Sequence, residues 1–92
     1  MKVENITSNN GNKIANQFII TDDKQNEYFQ SYNSMIVKKD YESDQVKIYL
    51  DKKYWNYSNT TGKYRNIFLN ETIKDTRAKI KNGTYILTDL NK

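Results

Sequence analysis

Two short stretches hold most of the side chains that could do chemistry. Lys52-Lys53-Tyr54-Trp55-Asn56-Tyr57 is followed, after a run of Ser, Asn and Thr, by Lys63-Tyr64-Arg65-Asn66. Cations interleaved with rings and amides suit phosphate contact plus stacking on bases, each stacked base contributing about 1–3 kcal/mol. Lys74, Arg77, Lys79 and Lys81 continue the positive charge. Arg77 falls on an apolar helical stripe, where its stem would pack inward. A structural assignment competes with this one: in a domain short of aliphatics, Trp55 and Tyr57 serve as core plugs. The residues expected at a nucleic-acid or partner interface are Lys52, Lys53, Tyr54, Trp55, Lys63, Tyr64, Arg65, Lys74, Lys79 and Lys81.

Charge patterning points to the same part of the chain. Residues 1–51 carry 6 Lys/Arg against 8 Asp/Glu, and residues 52–92 carry 9 against 3. Such asymmetry locates any electrostatic footprint in the second half, for nucleic acid or an acidic protein patch. The plainer alternative is that the lysines only solvate a small helical surface.

Other chemistries find little support. With no His and no Cys, zinc fingers, Cys or Ser–His nucleophile systems, haem attachment and disulfide frameworks are excluded. Thr61-Gly62-Lys63 resembles a phosphate loop but lacks the upstream Gly and the Ser/Thr after the Lys. Asp40-x-Glu42-x-Asp44 imitates a calcium loop, yet the position that needs Gly is Gln45. No carboxylate pair stands out for hydrolysis, and a tyrosine nucleophile would need a positioned base or metal. The expectation is therefore a non-enzymatic protein without cofactor or metal. No apolar run approaches the ~18 residues of a membrane span, and the first residues lack a signal-peptide core. A cytoplasmic protein is expected, and the N-x-S/T matches at Asn5, Asn56, Asn59, Asn70 and Asn82 read as chance.

The elements that must position these residues are sparse in aliphatics. Hydrophobic residues make up 36 % of 92, and mean hydropathy is −0.99. Eight Tyr, three Phe and a Trp supply the missing bulk, and with no Pro and three Gly the chain reads as one compact domain over 1–92. Lys2–Thr7 and Lys13–Thr21 form a hairpin around Asn9-Asn10-Gly11-Asn12, an Asn-Gly pair favouring a type I′ turn. Glu27–Val37 reads as one strand with a slip near Ser31–Ser34, and Gln45–Leu50 as another. A helix over about 60–69 places Tyr64, Ile67 and Phe68 on one side and Lys63, Arg65 and Asn66 outward. A second helix over 71–81 carries the stripe Ile73, Arg77, Ile80. Asn82-Gly83 stops it, and Thr84–Leu90 is a last strand. The order β-β-β-β-α-α-β predicts an α+β domain: an antiparallel sheet of four to five strands with both helices on one face.

Several blocks resemble a small uncharacterised family found in phages, prophages and plasmids of low-GC Gram-positive bacteria. They are Asn16-Gln17-Phe18-Ile19 through Tyr28-Phe29-Gln30-Ser31-Tyr32, Tyr54-Trp55-Asn56-Tyr57-Ser58, Thr60 through Asn66, Phe68-Leu69 and Leu90-Asn91. The Asn, Lys, Ile and Tyr bias also fits an AT-rich genome. The resemblance implies a mobile-element origin and carries over no functional residue. The first expectation is a protein that binds nucleic acid or a nucleoprotein complex. Its alternatives are a protein-directed inhibitor of a host defence system, such as an anti-CRISPR, and a subunit self-associating through a sheet edge as a homodimer.

Overall fold

A computed structural model describes residues 1–91. Its elements are β1 (Lys2–Thr7), β2 (Lys13–Thr21), β3 (Glu27–Ser31), β4 (Ser34–Asp40), β5 (Lys47–Asp51), α1 (Asn59–Leu69), α2 (Ile73–Lys81) and β6 (Tyr85–Thr88). The strands form one sheet in sequence order, so β1 and β6 are its edges. The first five make an antiparallel meander. The two helices then carry the chain over to β6, which pairs with β5 in parallel (Ile48 opposite Tyr85, Asp51 opposite Thr88). The α+β class and the helix pair between the last two strands follow the sequence. The sheet has six strands, and its final pairing is parallel.

The extra strand comes from the stretch read as a single strand over 27–37. Its slip is a reversal: β3 and β4 are joined by Tyr32-Asn33, with Tyr32 at φ 58°. A two-residue hairpin loop favours Gly at such a position, and a tyrosine there hides the turn from a reader of residue types. Tyr32 N–H donates to Asn16 O at 2.7 Å. Asn16 itself sits at φ 64°, inside a bulge where β2 slips against β1. The β1–β2 turn also departs from type I′. Gly11 N–H donates to Ser8 O and Ser8 N–H to Asn12 O, and only Gly11 has positive φ (81°). That is a three-residue loop ending in a left-handed glycine.

Phe29, Ile36, Val37 and Leu50 are fully buried and form the centre of the core with Ile6, Phe68 and Tyr85. Burying a side chain of this size contributes about 1.5–3 kcal/mol. Phe68 lays α1 over the sheet, its ring 5.9 Å from that of Phe29. The inward face of α1 is Thr61, Arg65 and Phe68, spaced i, i+4, i+7 and rotated from the expected Tyr64–Ile67–Phe68 side. Ile67 is exposed. The sheet beneath explains the rotation, because it offers polar partners as well as apolar ones. Ser31 Oγ lies 2.9 Å from Thr61 Oγ1, and Thr61 N–H is capped by Ser58 Oγ at 3.1 Å. Asn70, left-handed at φ 55°, ends α1, and a capping box of Thr72 with Asp75 starts α2.

Candidate basic cleft

Asp51 ends β5 and is 1 % exposed. Its carboxylate accepts N–H bonds from Leu90 at 2.9 Å, Tyr54 at 2.8 Å and Lys53 at 3.1 Å. Burial pushes this carboxyl up, but the backbone donors outweigh burial and hold it below its usual range. Asp51 thereby fixes the turn that carries Lys52 through Tyr57.

Arg65 locks the far side of that turn. Its Nη1 donates to Trp55 O at 2.8 Å and Asn56 Oδ1 at 3.1 Å, and Nη2 to Asn66 Oδ1 at 2.9 Å. The guanidinium also lies 5.3 Å from the Trp55 ring centroid. Arg65 is 1 % exposed, and among the described residues its Nε–H has no partner. A guanidinium has five N–H donors, so two are left over. All three acceptors are neutral. Among the described residues neither Arg65 nor Arg77 has an ion-pair partner. Burial first, and then the like charge of Arg77, lower the Arg65 pKa from its ordinary value, while Glu71 works weakly the other way.

Beside Arg65 opens a cleft of about 340 Å³ between the first turns of α1 and the flank of α2. Asn56, Gly62, Lys63, Arg65, Asn66 and Arg77 line it, together with Ser58, Asn59 and Ile73. Three basic residues and three asparagines thus line one space that no carboxylate lines among the described residues, and the Lys63 ammonium itself stands 5.3 Å over the Tyr64 ring. Arg77 reaches it because α2 turns a different face to the core than expected. Thr76 is buried and Ile80 packs against the core, whereas Arg77 is exposed. Lys74, Arg77 and Lys81 follow at i, i+3 and i+7, one exposed stripe along α2.

The other expected site residues divide between places. Lys52, Lys53 and Tyr54 line a second, smaller cleft with Asp51 and Asp89, so charge there is partly compensated. Lys53 Nζ stands 5.3 Å over the Tyr54 ring, which meets Tyr57 edge-on at 5.6 Å. Trp55 is half-buried and packs on the core, whereas Tyr57 is exposed. Tyr64 lies on the opposite side of α1 with Ile14 and Ile67. Lys79 is tied into a buried network: Glu71 accepts from Lys79 Nζ at 2.7 Å, from Tyr85 OH at 2.6 Å and from Thr76 Oγ1 at 2.6 Å. Arg65 is interior and Lys79 is paired, so neither is an open surface cation. Asn56, Gly62, Asn66 and Arg77 line the first cleft without standing among the expected site residues. Thr76, spaced between Ile73 and Ile80, was the signal that would have turned Arg77 outward.

The family of unknown function DUF8033 matches residues 1–84. The chain belongs to that family. The DUF8033 match takes in both helices and the whole lining of the basic cleft, and it stops one residue before β6. No curated protein and no solved structure matches the chain. Among the described residues no helix is long and apolar enough to cross a membrane.

Proposed function

We propose that this DUF8033 chain is a non-enzymatic accessory protein of a mobile element that binds nucleic acid through the outer face of its helix pair. The observation that carries the reading is the alignment of Lys74, Arg77 and Lys81 along α2, beside a cleft that Lys63 also lines and that no carboxylate lines among the described residues. None of these four cations is ion-paired among the described residues. From Lys74 to Lys81 is about 10 Å of helix, a reach suited to successive phosphates. Lys52, Lys53 and the exposed Tyr57, on the turn after β5, would serve as secondary contacts, with Tyr54 held between Lys53 and Tyr57. Binding would be driven by counter-ion release and so be steep in salt.

Titration with short DNA and RNA across a salt series tests this. Engagement of four phosphates gives a log–log slope of about −3 to −4, and the variant K74Q/R77Q/K81Q reduces it to about −1. A flat wild-type slope, or no binding at low salt, ends the reading.

A protein-directed inhibitor of a host defence system is favoured by a different observation. Ile67, 57 % exposed, lies with Ile14 and Tyr64 at a cleft of about 200 Å³ beside the β1–β2 turn. That patch would supply an apolar anchor. A partner retained from nuclease-treated host lysate at high salt, and lost on Ile67→Asp, would establish this version instead.

A further inference from the structure

We infer that the cleft over Gly62 is a socket for one phosphoryl group, held by Arg65 from below and by Arg77 from the side. In its choice of ligand this inference rests on the nucleic-acid reading.

Three observations converge on it. Arg65 is a buried cation satisfied only by neutral oxygens, with donor capacity to spare at Nε and Nη2. Such a group costs free energy until an anion joins it. Two guanidinium groups share the cleft, and Arg77 is close enough to perturb Arg65 as a like charge. An oxyanion between them removes that repulsion and gains charge-assisted bonds of the strongest class. Finally, Gly62 puts no side chain between the guanidinium and the cleft. A Cβ at this position would stand 3.7 Å from Nη1, from Nη2 and from Asn56 Oδ1. That is ordinary contact distance, so a methyl group fits without strain and occupies the floor of the cleft.

Gly62 lies in the first turns of α1, where its N–H already donates to Ser58 O at 2.9 Å. The site therefore differs from a glycine-rich phosphate loop, in which backbone N–H groups cradle the ligand. Here recognition falls to side chains. Asn56 and Asn66 accept from Arg65 through their carbonyl oxygens, which leaves their amide N–H groups available as donors. Lining donors of both kinds, charged and neutral, suit an acceptor-only group such as phosphate.

Gly62→Ala separates a binding role from a structural one, because alanine in a helix stabilises by about 1 kcal/mol relative to glycine. The full chain is titrated with inorganic phosphate against chloride at equal ionic strength. Thermal midpoint and the backbone amide resonances around Gly62 are followed. The wild type should gain midpoint with phosphate and shift those resonances. G62A should start from a higher midpoint yet bind phosphate at least about tenfold more weakly, and R77Q should lose about tenfold, one charged hydrogen bond. K47Q, at an exposed position of β5 outside the cleft, should respond as the wild type.

Two further arms identify the source of the phosphoryl group. A short oligonucleotide with a 5′-phosphate is compared with the same strand ending in a 5′-hydroxyl. Preference for the first assigns a terminal monoester. Equal affinities that both fall in G62A assign an internal phosphodiester. The inference is overturned if phosphate acts no differently from chloride, or if G62A and R77Q keep the wild-type response. Should G62A bind both oligonucleotides with the wild-type salt slope, the α2 stripe stands and the socket does not.

Discussion

At the scale of single residues, the chain accepts local cost where neighbours over-determine the geometry. Tyr32 is the clearest instance. A left-handed φ of 58° on a residue with a Cβ costs about 1–2 kcal/mol. It persists because Tyr32 N–H is tied to Asn16 O and Tyr32 O accepts from Gln30 Nε2 at 2.8 Å. Asn tolerates this conformation and keeps both backbone bonds. Tyr32→Asn should therefore raise unfolding free energy by about 0.5–1 kcal/mol, read from urea denaturation, and a loss of stability would show that the half-exposed ring packs harder than its surroundings suggest. Gln17 is a second cost: fully buried, with neither amide atom partnered. Residue type reveals little here. A tyrosine at a turn and a glutamine in a core contradict the statistics that make sequences readable, so only the alternation slip near Ser31–Ser34 hinted at the hairpin.

Elements were more legible than the faces they present. One stop was visible: Asn82-Gly83 ends α2 as its residue types suggest. The phase of each helix was not. Apolar spacing selected Tyr64–Ile67–Phe68 and Ile73–Arg77–Ile80, yet Thr61, Arg65 and Thr76 are the residues driven inward. Each finds a hydrogen-bond partner there, which an apolar-periodicity argument cannot anticipate. This rotation buried Arg65 and brought Arg77 out, so the cleft was half legible: its region and charge could be read, its members could not.

Glu71 shows how the same polar interior holds the elements together, joining the α1–α2 connection to α2 and β6. Burial raises its carboxyl, and bonds from Lys79, Thr76 and Tyr85 more than offset that, leaving it below its usual 4.5. Tyr85, buried against this carboxylate, is pushed up to about 12. A depressed carboxyl contributes stability that is complete above its unfolded pKa and is lost as pH falls through the folded one. Stability should accordingly drop as pH decreases below about 4.5, and Glu71→Gln should flatten that part of the pH profile. At neutral pH the same variant should cost about 1–3 kcal/mol, because the amide removes the charge that Lys79 and Tyr85 bond to and one of the two acceptor oxygens.

On the scale of the whole molecule, one side chain ties the segment after β6 back to β4. Asn91 Oδ1 accepts from Met35 N–H at 2.6 Å and its Nδ2 donates to Met35 O at 2.8 Å, mimicking a strand pair across 56 positions. Together with the bond from Leu90 N–H to Asp51, it fastens the segment after β6 to the sheet. Asn91→Ala should lower stability by about 1–3 kcal/mol and speed hydrogen exchange in β4, which a purely decorative contact would leave unchanged.

The sheet's two open rims carry a practical consequence. Along β6, Ile86 and Leu87 are each more than 40 % exposed, and along β1 Val3 is exposed beside the Lys2–Glu4 pair. Net charge of +4 keeps these rims apart at low ionic strength, but added electrolyte shortens the range of that repulsion to about 3 Å at 1 M. The conditions that release a polyanion therefore also favour clumping of the protein itself. Light scattering recorded alongside the titration will tell ligand departure from turbidity, and a charged residue in place of Ile86 should keep the solution clear at every step.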